Sequence, residues 1–155
     1  MVQTTGLLSE GKPIIEIAIA DAIPNPSSVS PFSTEQKFPL RYYRALLDTG
    51  ADITCLCERV VRETNLSPYG MMNMTSGMGT APTITYIIQL GIWCQEPLDF
   101  EGDGQFTRTL FWLEEAYEAP RIKDNQWFDV IIGTDILSQY DFHLRKGGEF
   151  TLTLS

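Results

Sequence analysis

The octapeptide ALLDTGAD, residues 45–52, constrains the fold of this chain more than any other stretch. An apolar run leads directly into Asp48, which is followed by a hydroxyl residue and Gly50. The run predicts a buried strand, so that the carboxylate emerges from the core rather than from a polar surface. Two interpretations are open for the tripeptide alone: a β-turn in which Asp48 caps Gly50, or a reactive site whose glycine lets another chain approach closely.

The size and charge of the chain exclude several classes of protein. Its 155 residues suffice for one domain with a core, and we predict a single domain over 1–155, in which residues 1–12 are open to interpretation as a flexible leader. The 11 Lys and Arg against 20 Asp and Glu give a net charge of −9, which argues against nucleic acid or an anionic membrane as a partner. No apolar run approaches the length of a membrane span, and the N-terminal stretch lacks the pattern of a signal peptide.

The three cysteines, Cys55, Cys57 and Cys94, give no closed disulfide framework, which favours reduced thiols in a cytosol-like compartment. Cys55 and Cys57 lack a second pair at a zinc-binding spacing, so we expect no metal and no cofactor. On an alternating strand we expect both thiols to pack in the core.

Apolar alternation predicts a mostly-β chain with one or two short helices. PIIEIAIA, LRYYRALL and FTRTLFWLEE have strand character, and the middle of ITCLCERVVRETNLS favours a short helix that ends near Asn65. Residues 71–88 predict a hairpin whose tip is Ser-Gly-Met-Gly, and FHLRKGGEFTLTL predicts a second hairpin that turns at 146–148. The composition predicts three long loops, at 21–39, 94–105 and 114–127.

Three segments in order, ALLDTGAD, SGMGTAPTI and DVIIGTDILSQYDF, together resemble a retropepsin, the aspartic protease family of retroviruses and LTR retrotransposons. The order is that of a catalytic loop, a flap hairpin and an apolar segment ending in glycine that packs beneath the site. The resemblance spans about residues 14 to 154 and implies a single-lobe, closed-barrel acid-protease fold that acts as a homodimer. It implies an aspartic endopeptidase without cofactor, located in the cytoplasm or in a viral or retroelement particle.

By the same resemblance, Asp48 is the catalytic carboxylate, and Thr49 and Gly50 support the catalytic loop, with Thr49 meeting its twin across the dimer axis. Leu46, Ile53 and Ile132 would line or support side-chain pockets. The substrate, an extended peptide or protein, would be bound by Gly50, Ala51, Asp52, Gly77, Met78, Gly79 and Ile131.

The chain has one Asp-Thr-Gly, at 48–50, so it supplies one carboxylate. Two carboxylates held about 3 Å apart share a proton, and one then acts as base while the other acts as acid. We therefore expect a homodimer with a two-fold axis through the site, active at mildly acidic pH, with the C-terminal strand EFTLTL in the interface. Thr134 stands where many retroviral enzymes carry an arginine that pairs with the acid at Asp52, so Asp52 is left solvated or needs another partner.

Two rival functions remain open from the sequence. The same fold could serve as a dimerisation or peptide-binding module with weak or no activity. A phosphotransferase that uses Asp48 as nucleophile is disfavoured, because magnesium ligands and an alternating α/β pattern are missing. His143, the only histidine, is expected on a surface or edge rather than in a catalytic triad. The methionines around the hairpin predict an adaptable apolar lid or packing against the cleft wall.

Overall fold

A computed structural model of the chain describes residues 2–22, 41–97 and 106–155. These residues form eleven strands and two short helices, which confirms the mostly-β prediction. In chain order they are β1 (Gln3–Leu7), β2 (Ile14–Asp21), β3 (Tyr43–Leu47), β4 (Cys55–Cys57), α1 (Glu58–Thr64), β5 (Gly70–Ser76), β6 (Gly79–Pro97), β7 (Phe106–Trp112), β8 (Tyr117–Ile122), β9 (Val130–Ile132), α2 (Thr134–Leu137), β10 (Asp141–Leu144) and β11 (Glu149–Thr153).

The core is enclosed by a circuit of six strands. The pairings run in the order β6-β2-β3-β9-β4-β8, and β8 pairs in turn with β6, so the circuit returns to its first strand. Strand β2 shows why these residues form strands: Ile15, Ile17 and Ile19 alternate along it, and all three are buried. Removing such a side chain from water contributes about 1.5–3 kcal/mol, so the alternation fixes which face of β2 points inward.

Strands β3 and β4 follow each other in the chain but are not neighbours in the sheet, because β9 lies between them. Leu46 is paired with Ile131 in the parallel β3–β9 ladder, and Cys55 is paired with Ile131 in the antiparallel β4–β9 ladder. The connection 48–54 therefore crosses the end of β9. This crossing places Asp48 directly against the end of the apolar segment DVIIG.

The chain termini form one end of the sheet, in the order β10-β11-β1-β6. Strand β1 pairs with β11 from Gln3 opposite Thr153 to Leu7 opposite Glu149. Residues 3–7, within the segment considered as a flexible leader, are thus a strand. Strand β11 has β1 on one side and β10 on the other, so the C-terminal strand that was expected to join a dimer interface has no free edge.

The structure confirms the predicted end of the helix and the C-terminal hairpin, and it corrects the loop predicted over 114–127. The helix ends at Asn65, whose φ of 51° closes α1 in the left-handed conformation, and the C-terminal hairpin turns through Gly147 and Gly148, both at positive φ. The loop predicted over 114–127 is wrong for 117–122, which is strand β8 with Tyr117 and Ala119 buried. Its short alternation is interrupted by a proline and charged residues, and pairing with β4 and β6 decides its conformation.

The other two predicted loops fall largely on residues that the structure does not describe. The loop over 94–105 is wrong for 94–97, which continue β6 and pair with β7, and residues 98–105 lie outside the described residues. Residues 23–39 of the loop over 21–39 also lie outside them. Within the described ranges, neither helix is long and apolar enough to cross a membrane.

Candidate active site

Asp48 lies at the end of β3, where the strand leaves the core. Leu47, the last residue of β3, is buried, and Asp48 donates its N–H to the carbonyl of Ile132 on β9 at 2.9 Å. The backbone of Asp48 is thereby part of the sheet, while its side chain is half-buried at the sheet's edge. The predicted emergence of the carboxylate from the core agrees with this position.

The segment 48–54, which we call the Asp48 loop, turns immediately after the carboxylate. The Gly50 N–H donates to Asp48 Oδ1 at 2.9 Å, and the Ala51 N–H donates to the Asp48 carbonyl at 3.2 Å. The cap expected of a turn is therefore present, and it orients the carboxylate. Among the described residues Asp48 Oδ2 has no hydrogen-bond partner, and Thr49 and Gly50 are exposed beside it.

Gly133 allows the Asp48 loop to pack against the end of β9. A Cβ on Gly133 would lie 2.8 Å from the carbonyl oxygen of Ala51 and 2.9 Å from the nitrogen of Ile53, both of them backbone atoms. The next residue, Thr134, donates its N–H to that same Ala51 oxygen at 2.8 Å. Only a residue without a side chain fits this contact, which explains why the apolar segment ends in glycine.

A buried threonine and an aspartate hold the far end of the Asp48 loop. Thr54 is fully buried, and it donates its N–H to Asp135 Oδ2 at 3.0 Å and its hydroxyl to Asp135 Oδ1 at 2.8 Å. The Thr54 oxygen accepts the Gly133 N–H at 3.2 Å. Hydrogen bonds to a carboxylate are stronger than neutral ones, so this network fixes the loop to α2. Sequence reasoning missed it, because the two residues are 81 positions apart.

A second carboxylate missed from the sequence, Asp129, holds the start of β3. It is 8% exposed, and it accepts the Arg44 N–H at 2.9 Å while its own N–H donates to the Arg44 carbonyl at 2.8 Å. Its other oxygen pairs with the guanidinium of Arg59 on α1. Asp129 therefore connects β3, β9 and α1 behind the site and is a positioning residue.

The predicted flap is a two-stranded ribbon formed by β5 and the first part of β6. Residues 70–85, which we call the flap hairpin, pair from Gly70 opposite Thr85 to Ser76 opposite Gly79. The turn is Gly77-Met78, and the side chain of Met78 is 98% exposed. Gly79 has a φ of 114°, which only glycine adopts without strain.

One side of the flap hairpin carries a groove of about 390 Å³. Met74 and Met78 line it from the hairpin, Ile122 lines it from β8, and Glu58 lies at its α1 end. Met74 is half-buried at this wall, whereas Met78, which is 98% exposed, only borders the groove. Asp48 is not among the residues that line this groove.

The remaining predicted site residues divide into pocket-forming and exposed positions. Leu46 and Ile131 are neighbours in the β3–β9 ladder and both are half-buried, whereas Ile132 is fully buried and only supports them. Ile53 is half-buried in the Asp48 loop. Asp52 is exposed and has no ion pair among the described residues, which agrees with the loss of an arginine at 134.

The thiols next to the site are not nucleophiles. Cys55 and Cys57 on β4 are buried, and burial raises the pKa of each to about 11. Both are protonated at neutral pH, so they cannot attack a carbonyl. His143 lies exposed on β10, as predicted, with Thr151 as its ladder partner. The described residues contain no cluster of side chains able to hold a metal ion.

Comparison with known proteins supports the fold. No family profile matches the chain, and no curated protein sequence does. Among solved structures, the chain is similar to a retropepsin-like aspartic protease from Rickettsia conorii, with a TM-score of 0.55 and 11% sequence identity, over 98% of this chain and 91% of that one. At this identity the similarity establishes the fold, and the predicted retropepsin-like fold is confirmed.

Proposed function

We propose that the chain is an aspartic endopeptidase that becomes active as a homodimer. The observation that carries the proposal is the placement of Asp48: its backbone belongs to the sheet, its Oδ1 is oriented by the Gly50 N–H, and its loop is held by the buried Thr54–Asp135 network. A carboxylate held this firmly at an exposed edge suits proton transfer, because general acid–base catalysis depends on fixed geometry.

The second carboxylate would come from a second copy of the chain. Asp48 of one copy would take a proton from a bound water, and Asp48 of the other copy would give a proton to the carbonyl oxygen of the scissile amide. Water attack then leads to a tetrahedral intermediate without a covalent enzyme adduct. Since two adjacent carboxylates share one proton, activity is expected at mildly acidic pH.

The substrate would lie as an extended chain between the Asp48 loop and the flap hairpin. Gly50 and Gly77 leave their backbones accessible, so the main chain of a peptide can form hydrogen bonds like those of an added strand. Leu46 and Ile131, half-buried beside the carboxylate, supply apolar contacts for substrate side chains. We therefore expect a preference for apolar residues around the cleaved bond.

The test is cleavage of a mixed peptide library near pH 5, with products identified by mass spectrometry. Wild type and Asp48→Asn are compared at a concentration at which sedimentation shows a dimer. Asn keeps the shape and the Gly50 hydrogen bond but cannot act as a base, so cleavage should fall at least about 100-fold. Glu115→Gln, a change of the same kind at an exposed position, serves as the control and should retain full activity.

Cleavage by Asp48→Asn equal to that of the wild type would overturn the proposal. A wild-type dimer without cleavage would favour the alternative, an inactive dimerisation or peptide-binding module. Binding of a statine-type peptide separates the two further. An enzyme should bind this transition-state mimic more tightly than the matching ordinary peptide, whereas a binding module should not distinguish them.

A further inference from the structure

A cavity of about 450 Å³ opens on the face of β3 that leads to Asp48. We call it the Arg44 cavity, and it is lined by Ser9, Glu10, Arg44, Gln126 and Trp127. Along β3 the residues alternate between buried positions and the exposed Arg44 and half-buried Leu46. The ladder continues to Asp48, whose N–H bonds to β9, so Arg44, Leu46 and Asp48 follow one another on one face. The cavity therefore adjoins the proposed cleft.

Trp127 forms one wall of the Arg44 cavity and is held from two sides. Its backbone N–H donates to Asn125 Oδ1 at 2.8 Å, and its indole N–H donates to Glu10 Oε2 at 3.0 Å. Lys12 Nζ lies 5.0 Å from the centroid of the indole ring. Glu10 has a φ of 50°, a conformation that is uncommon outside glycine, and its bond to Trp127 holds the turn in place. Tertiary contacts between two segments thus build this cavity.

Across the described ranges, Arg44 is the arginine that lacks an acidic partner. The other arginines each form an ion pair with a carboxylate of the chain: Arg41, Arg59, Arg62, Arg108, Arg121 and Arg145. Arg44 is exposed, and its guanidinium forms neither an ion pair nor a hydrogen bond within the described part of the chain. The cavity thus presents a charge that the chain itself does not neutralise.

The acidic residues beside Arg44 are engaged elsewhere. Glu16 lies opposite Arg44 in the β2–β3 ladder, but its carboxylate bonds to Arg108 at 2.5 Å. Asp129 accepts the backbone N–H of Arg44 and pairs with the guanidinium of Arg59. Glu10 lines the same cavity, where it accepts the indole N–H of Trp127. A carboxylate that comes from outside the chain would therefore not have to displace a partner of Arg44.

We propose that the Arg44 cavity receives an acidic side chain, Asp or Glu, of the substrate peptide. A planar guanidinium binds a carboxylate through two parallel hydrogen bonds, and Lys12 adds positive charge next to the single carboxylate of Glu10. At about 3.3 Å per residue, Arg44 lies about 13 Å from Asp48 along β3, so an extended peptide reaches the cavity within about four residues of the cleaved bond. The inference rests on the proposed function, because it places the peptide in that cleft.

Cleavage of matched peptides tests the preference. The best-cleaved peptide of the library is synthesised with Glu or Gln at each position within about four residues of the cut. At pH 5, where a free Glu is mostly ionised, kcat/KM should be about fivefold higher for Glu than for Gln at one position. Arg44→Gln should abolish this ratio, and Arg44→Lys, which keeps the charge, should retain part of it. Arg62→Gln, which changes the net charge equally at an exposed position on α1, is the control.

A variant of the opposite wall gives a second readout. Glu10→Gln keeps an oxygen that can accept the indole N–H of Trp127 but removes the negative charge from the cavity. The ratio of kcat/KM for Glu over Gln should then rise about twofold to threefold, since repulsion of the incoming carboxylate is lost. Folding should survive each change, because the side chains of Glu10 and Arg44 are exposed and Arg44 bonds to Asp129 through its main chain.

Binding of the same library to the full chain carrying Asp48→Asn separates this inference from the proposed function. Peptides retained at pH 5 and identified by mass spectrometry should be enriched in Asp and Glu, and Arg44→Gln should remove the enrichment. Enrichment that depends on Arg44, in a chain whose wild type cleaves no peptide, would overturn the proposed function and support the acid-binding cavity. Cleavage without an acidic preference, a preference that survives Arg44→Gln, or retained peptides without acidic enrichment would each overturn the inference.

Discussion

The Asp48 loop and the flap hairpin both contain a turn with glycine, yet different contacts hold them in place. The loop is held by the fully buried Thr54, by Asp135 and by a close backbone contact at Gly133. The hairpin tip carries Met78 at 98% exposure, and the hydroxyls of Thr75 and Thr80 form an exposed hydrogen bond between its strands. The chain thus fixes the carboxylate through buried tertiary contacts, whereas the hairpin is held by its own ladder and, near its base, by a hydrogen bond from the Thr83 hydroxyl to the Arg121 carbonyl.

The difference matters for the proposed chemistry. A catalytic carboxylate must stay within a fraction of an ångström of its working position, whereas a covering hairpin has to move to admit a peptide. Elements that move come from the least stable part of a structure, with few buried apolar contacts. Chemically matched substitutions in the two regions should therefore lower the free energy of unfolding by very different amounts.

The largest difference in stability is expected between two Gly→Ala substitutions, one at Gly133 beside the Asp48 loop and one at Gly77 in the hairpin turn. Gly133→Ala places a methyl group 2.8 Å from backbone atoms of the Asp48 loop, which cannot yield without moving the loop. We expect a loss of about 3 kcal/mol in the free energy of unfolding, measured by urea denaturation. Gly77→Ala, where no atom lies within 4 Å of the new methyl group, should change it by less than about 0.5 kcal/mol. Equal effects would contradict the comparison.

Two Thr→Val substitutions, one in each region, should give the next largest difference in the free energy of unfolding. Thr54→Val keeps the shape but removes the hydroxyl, which leaves the buried Gly133 N–H without its acceptor and takes one of two hydrogen-bond donors away from Asp135 Oδ1. This should cost about 2 kcal/mol. Thr75→Val breaks an exposed bond to Thr80 and should cost less than about 0.5 kcal/mol. A Thr54→Val chain as stable as the wild type would show that the network does not hold the loop.

Alkaline pH should destabilise the folded chain in part through the buried thiol of Cys57 on β4, the strand that follows the Asp48 loop. The pKa of Cys57 rises from 9.0 to about 11 on folding, because burial disfavours the thiolate. Its contribution to stability is full below pH 9 and is lost as the pH rises to 11, on the order of 1–2 kcal/mol. Urea denaturation of the wild type against Cys57→Ala across this range should show a shallower decline in the variant. Parallel declines would contradict this assignment.

The same contrast explains what the sequence could predict. The position of Asp48 after a strand, the hairpin with its Gly-Met turn and the end of α1 at Asn65 are all encoded within short stretches, and the structure has each of them. The Thr54–Asp135 network joins residues 81 positions apart, so no local sequence pattern predicts it. Asp129 was missed for the same reason.

Strand pairing explains the remaining errors. The short alternation of β8, which includes Pro120, predicts a loop, whereas pairing with two strands that are distant in the chain makes it a strand. The expected place of the C-terminal strand in a dimer interface stays a prediction, and within the chain β11 is paired on both sides. A strand's sequence does not tell which of its edges is paired, and only the sheet order revealed that β10 and not β11 is at the edge.

The smallest effect on stability, and one visible mainly in kinetics, is expected at the hairpin tip. Met78→Ser exchanges the exposed tip side chain for a small polar one and should change the free energy of unfolding by less than about 0.5 kcal/mol. If the tip covers a bound peptide, KM should rise about threefold to tenfold while kcat changes little, because only uniform binding is lost. Met71→Ser, at a 67% exposed position far from the tip on the same hairpin, is the control. Equal shifts in KM for the two variants would show that the tip has no special part in binding, and that the hairpin contributes through its overall apolar surface.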